Sequence, residues 1–143
     1  MRRSRSLEHA YRATAYCVRL PQGECVLRVG ERNPRLDEWL KAQGIGCWSI
    51  ITAWNPASRQ LSAQQNRQRQ RVLRAQLLIG GCRFFAAENQ AADGSWPTEP
   101  SFFVPALPPG EVARLAKQHG QNAFLWGAPG KAARLCWRPT APR

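Results

Sequence analysis

A small set of polar and aromatic residues sits where binding or acid–base chemistry needs them and a plain apolar core does not. Thr52 and Asn55 close the run Cys47–Trp54 at an Asn-Pro pair, and Asn66 follows one turn into the next helical pattern. Trp96, Glu99, Ser101 and Gln121 lie further on. Amide and hydroxyl side chains supply paired donors and acceptors. A tryptophan can wall a pocket that is otherwise apolar. Glu99 is the one candidate catalytic group, a general acid or base of a hydrolase or transferase if burial raises its pKa. Each residue also has a structural reading. Asn55 before Pro56 suits a turn, Asn66 can tie that turn to the helix, and Glu99 can pair with Arg83 or Arg134. Ser101 suits a strand, Gln121 can bond backbone, and Trp96 can lid the core. No G-x-S-x-G, Walker loop or G-x-G-x-x-G is present.

The elements that must position these residues follow from patterning. Tyr11–Leu20 and Cys25–Val29 flank Pro21-Gln22-Gly23 and read as a hairpin. Asn33-Pro34 starts a helix, because Asn caps free N–H groups and Pro lacks one. Gly44 ends it. Cys47–Trp54 is apolar nearly throughout, the mark of a central strand buried on both faces. Ser62-x-x-Gln65 is a capping box for a helix running to about Ile79, in which Asn66, Leu73 and Leu77 share one face. Cys82–Glu88 and Thr98–Ala106 read as strands, and Pro108-Pro109 opens a third helix closed by Gly120. In that helix Val112, Leu115, Ala116 and His119 share a face, which makes His119 a packing residue. Ala123–Trp126 and Ala133–Trp137 form a last hairpin across Gly127-Ala128-Pro129-Gly130. The expected fold is an α+β two-layer sandwich: a mixed or mostly antiparallel sheet of five to seven strands with three helices. Residues 1–10 read as a mobile basic arm, 11–138 as the domain and 139–143 as a loose tail. Thr52 and Asn55 then sit at a strand's carboxyl end beside a helix N-terminus, a usual place for ligands and especially anions.

Composition bounds the rest. A chain of 143 residues with 43 % hydrophobic residues supports one cored domain and is not disordered as a whole. The formal charge is +12, which favours polyanionic partners. Arg67, Arg71 and Arg74, with Arg2, Arg3 and Arg5 near the N-terminus, are the candidate nucleic-acid contacts. The five cysteines, Cys17, Cys25, Cys47, Cys82 and Cys136, include no C-x-x-C pair, and there are two histidines. This argues against a zinc ribbon, a His-rich metal site and a disulfide framework. No metal and no cofactor is expected. No apolar run has the length of a membrane span, and reduced thiols point to a cytoplasmic protein.

Several fragments together resemble the bacterial family known as domain of unknown function 3293. They are Ile51-Thr52-Ala53-Trp54-Asn55-Pro56, Leu61-Ser62 with Asn66 and Leu73, Trp96-x-x-Glu99-x-Ser101, and Gly120-Gln121-Asn122-Ala123. The resemblance runs from about Tyr11 to Trp137. The family pattern has an aromatic residue before Gly-Gln where this chain has His119, again a packing role. The resemblance implies a small stand-alone bacterial protein and no activity. Three functions are therefore expected in order: a polar pocket for a small anionic ligand, a nucleic-acid surface on the arginine-rich helix and N-terminal arm, and a protein-interaction module. Oligomeric state is left open.

Overall fold

The computed structural model describes residues 5–137. Arg2, Arg3 and the tail 139–143 lie outside the described residues. Seven strands form one antiparallel sheet: β1 (Ala15–Leu20), β2 (Gly23–Leu27), β3 (Trp48–Ile51), β4 (Phe85–Gln90), β5 (Glu99–Pro105), β6 (Ala123–Gly127) and β7 (Arg134–Trp137). Their spatial order is β2-β1-β4-β5-β3-β6-β7, and every neighbouring pair is antiparallel. The sheet is curled. Four α-helices accompany it: α1 (Arg5–Ala13), α2 (Pro34–Gln43), α3 (Ala63–Ile79) and α4 (Pro109–Gln118).

The α+β class and the antiparallel sheet match the expectation from sequence, but the two-layer arrangement does not. Two cores lie on opposite faces of the sheet. Tyr16, Val18, Ile50, Phe103 and Leu125 pack with Leu36 and Leu40 of α2. Ile51, Val104 and Phe124 pack with Leu73 and Leu77 of α3 and Val112 and Leu115 of α4. A strand alternates its side chains between faces, so β3, buried at all four positions, feeds both cores.

Residues 5–10 of the segment expected to be an arm belong to a helix from Arg5 to Ala13, a fourth helix that patterning missed. It buries no residue completely, and it is held locally by an Arg12–Glu8 ion pair at 3.6 Å and tertiarily by the Tyr11 ring, which meets Trp137 edge-on at 5.4 Å.

Local signals explain the other helix ends. Asn33 accepts from the Leu36 N–H at 3.0 Å, and Gly44 terminates α2 with a left-handed φ of 68°. The Ser62 hydroxyl accepts from the Gln65 N–H at 3.1 Å, and the Gln65 side chain accepts from the Ser62 N–H at 3.1 Å. Gly127 belongs to β6 rather than to a turn. A Cβ there would lie 2.3 Å from Cζ2 of Trp48, so glycine makes room for the indole of the central strand. All five cysteines are free thiols.

Candidate functional site

Between α3 and the sheet, amide side chains hold the chain as it leaves β3. Asn66, 2 % exposed, sits one turn into α3 on the face that also buries Gln70, Leu73 and Leu77. Its Oδ1 accepts from the Asn55 N–H at 2.8 Å, and its Nδ2 donates to the Asn55 Oδ1 at 2.6 Å. The same Asn55 oxygen accepts from the Leu61 N–H at 3.0 Å. One turn on, Gln70 Oε1 accepts from the Ala53 N–H at 2.9 Å, and Gln70 Nε2 donates to the Pro100 carbonyl at 3.3 Å. The Thr52 hydroxyl donates to that carbonyl at 2.8 Å and accepts from the Trp54 N–H at 3.0 Å. Buried polar groups are costly unless paired, and this network pairs them.

The network holds a strained loop. Asn55, Ala57 and Ser58 have φ of 45°, 54° and 59°, a region that costs a non-glycine residue roughly 1–2 kcal/mol. The Ala57 N–H donates to the Gly120 carbonyl at 2.7 Å, and Asn122 Nδ2 donates to the Ser58 hydroxyl at 2.9 Å. Gly120 itself has φ of 65°, and a Cβ there would press on Pro56 at 3.1 Å. The strain is thus fixed from three sides, and it turns Asn55 and Ser58 towards a cavity.

That cavity, of about 460 Å³, lies under α1 on the sheet face of Tyr16, Ile50 and Leu125. Glu99 is its central polar group. Trp96 Nε1 donates to Glu99 Oε2 at 2.5 Å, and Asn55 Nδ2 donates to the same oxygen at 2.9 Å. Burial pushes the Glu99 carboxyl above its ordinary value, against the pull of these two donors. No hydrogen bond reaches Oε1 from the described residues. The cross-strand register carries the polar row on: Glu99 stands opposite Asn89, and Asn89 opposite Tyr16. Asn89 Oδ1 accepts from the Ser101 hydroxyl at 2.7 Å. From above, Tyr11 also lines the cavity, and burial raises the pKa of its phenol, partly offset by Ser58 and Asn122. Burial raises the Tyr16 phenol further.

Of the residues singled out from sequence, Thr52, Asn55, Trp96, Glu99 and Gln121 line this cavity. Asn66 and Ser101 do not; they stand behind it and hold Asn55 and Asn89. Gln121 Nε2 donates to the Trp54 carbonyl at 3.2 Å. Trp54 does not line the cavity. The ion pairs considered for Glu99 are absent. Arg134 lies over the Trp126 ring, and Arg83 lies over Trp39 and Phe85. The neighbouring carboxylate on β4, Glu88, projects from the opposite sheet face and pairs with Arg19 at 3.2 Å, so it forms no dyad with Glu99. His119 is 5 % exposed, and its Nε2 meets Gln76 Oε1 at 2.5 Å. Burial and the Arg69 guanidinium hold its pKa below the ordinary value.

Sequence reasoning missed Tyr11, Tyr16, Ser58, Asn89 and Gln70. Gln70 was accessible, since it shares the helical stripe of Asn66 and Leu73. Tyr16 alternates with Val18 and Leu20, which marks its sheet face. Tyr11 and Ser58 carried no signal, because one depends on a helix that patterning did not show and the other on loop strain.

No helix among the described residues is long and apolar enough to cross a membrane. No curated protein and no solved structure matches the chain. A family model described as "Protein of unknown function (DUF3293)" matches residues 51–124, a narrower span than Tyr11–Trp137 but just over half the chain. It takes in the strained loop, α3, the Trp96–Glu99 pair and Gln121, and on that match the chain belongs to this family.

Proposed function

We propose that this domain binds a small organic molecule in the cavity under α1, with Glu99 as its polar anchor. The carrying observation is the carboxylate: Trp96 and Asn55 both bond Oε2, leaving Oε1 to accept from a ligand. A half-buried carboxylate without a countercharge gains from a hydrogen-bonding or charged partner. Ile50, Ala123, Leu125 and Leu135 supply apolar wall, and Asn89, Ser58 and the tyrosines supply donors and acceptors. Ligand sites commonly combine such walls with a few placed polar groups. Among the described residues the lining contains no lysine or arginine. This chemistry favours an uncharged donor or an amine over the anion expected from sequence.

A thermal-shift series with primary amines, amides and polyols on one side and sugar phosphates and nucleotides on the other tests the reading. A binder at ~100 times its dissociation constant adds about 2.7 kcal/mol of stability. The expected result is a shift from a donor-bearing compound that Glu99→Gln abolishes in a folded protein. Stabilisation by a phosphate compound alone, or a shift that Glu99→Gln leaves intact, refutes it.

A further inference from the structure

The outer face of α3 takes no part in the cavity. The helix buries Asn66, Gln70, Leu73 and Leu77. Arg67, Arg71 and Arg74 stand at spacings of four and three, on one ridge of the remaining arc, and all three are exposed. No Asp or Glu occurs between Arg59 and Ala87. None of the three arginines forms an ion pair among the described residues. Arg69, by contrast, turns inward and donates to the Ala53 and His119 carbonyls at 3.3 and 3.2 Å. Arg74 keeps its charge free but aimed, with its guanidinium 5.6 Å above the Phe84 ring.

Like charges at this spacing repel by a few tenths of a kcal/mol per pair, so the ridge carries a standing cost that a polyanion would relieve. The neighbouring side chains narrow the choice of polyanion. The exposed large apolar residues are Val26, Val72, Leu78 and Ile79, all aliphatic. Base stacking on aromatic side chains, the usual grip on single strands, has no fully exposed aromatic platform among the described residues. An α-helix is about 10–12 Å across with its side chains and fits the B-form major groove, about 12 Å wide, whereas the deep, narrow groove of A-form RNA does not admit one; α3, with 17 residues, is about 25 Å long and can run along such a groove.

We propose that the outer face of α3 binds duplex DNA through its phosphates, with Arg67, Arg71 and Arg74 as the contacts and Gln64 and Gln68 beside them. Contacts of this kind position a duplex without reading its sequence. Each neutralised phosphate contributes about −0.9 to the slope of log K against log salt.

The test is fluorescence anisotropy of a labelled DNA duplex of about 24 base pairs, titrated between ~50 and ~200 mM KCl. Arg67→Gln/Arg71→Gln/Arg74→Gln is compared with Arg32→Gln/Arg35→Gln/Lys41→Gln, which removes the same charge elsewhere. The expected result is a slope shallower by about 2.7 and a loss of roughly two orders of magnitude at ~100 mM for the α3 variant. The control should leave the slope unchanged, and the triple Lys variant at the α3 positions should restore it. All these side chains are exposed, so circular dichroism should show every variant folded. Equal losses from both Gln variants would mean net charge alone and overturn the assignment. So would absence of wild-type binding at ~50 mM KCl, or tighter binding to RNA duplex or phosphatidylserine vesicles than to DNA.

Discussion

Replacing Asn66 by alanine should unfasten the loop that shapes the cavity. The substitution removes the bond from the Asn55 N–H at 2.8 Å and the bond to the Asn55 Oδ1 at 2.6 Å. Each is worth ~1 kcal/mol net, and a buried N–H left without an acceptor costs a further ~1–3 kcal/mol. Asn55 is only 6 % exposed, so water does not readily replace the lost acceptor. The left-handed φ of Asn55 is then held by the Leu61 N–H and the Glu99 carboxylate alone. The expected loss is about 3 kcal/mol. In a domain of this size that lowers the melting temperature by roughly 10 °C, and at a urea slope near 2 kcal/mol/M it moves the midpoint down by about 1.5 M. Asn66→Asp keeps an acceptor for the N–H but sets a carboxylate oxygen against the Asn55 oxygen, and it should be no better than alanine. Urea unfolding followed by far-UV circular dichroism gives both numbers. A loss under ~0.5 kcal/mol for Asn66→Ala, the level of an ordinary surface change, would refute the view that this pair locks the loop.

Two further outcomes are expected. Gly127→Ala forces a methyl into the Trp48 indole, which is 2 % exposed and stacked on Phe103 at 5.5 Å; overpacking of this kind costs ~1–3 kcal/mol, and a neutral result in chemical denaturation would contradict the close approach. Glu99 has a raised pKa in the fold and an ordinary value of 4.5 when unfolded, so its contribution is fully present below that value and is lost as pH rises through the folded value. Glu99→Gln keeps an oxygen for Trp96 and Asn55, and its melting temperature should gain on wild type across that window; a constant difference from pH ~4 to 7 would contradict burial of the charge.

Features with local causes were legible in the sequence. Helix starts at Asn33 and Ser62 were legible because capping depends on a side chain and backbone three residues away. The burial of β3 was legible in its nearly continuous apolar run, and the orientation of Asn66 in the helical period. What those elements meet was set by long-range packing. Glu99 and Asn55 are far apart in sequence, and whether Glu99 pairs with an arginine or with Trp96 and Asn55 depends on which strands adjoin. The amphipathic segment Arg5–Ala13 becomes a cavity roof only because the curled sheet offers it a face, with Trp137 brought from the far end of the described chain. Charge placement depends on the fold in the same way: net charge is a sum over the whole chain, whereas Arg67, Arg71 and Arg74 of α3 point outward, Arg69 turns inward to backbone carbonyls, and the Glu99 carboxylate faces the cavity.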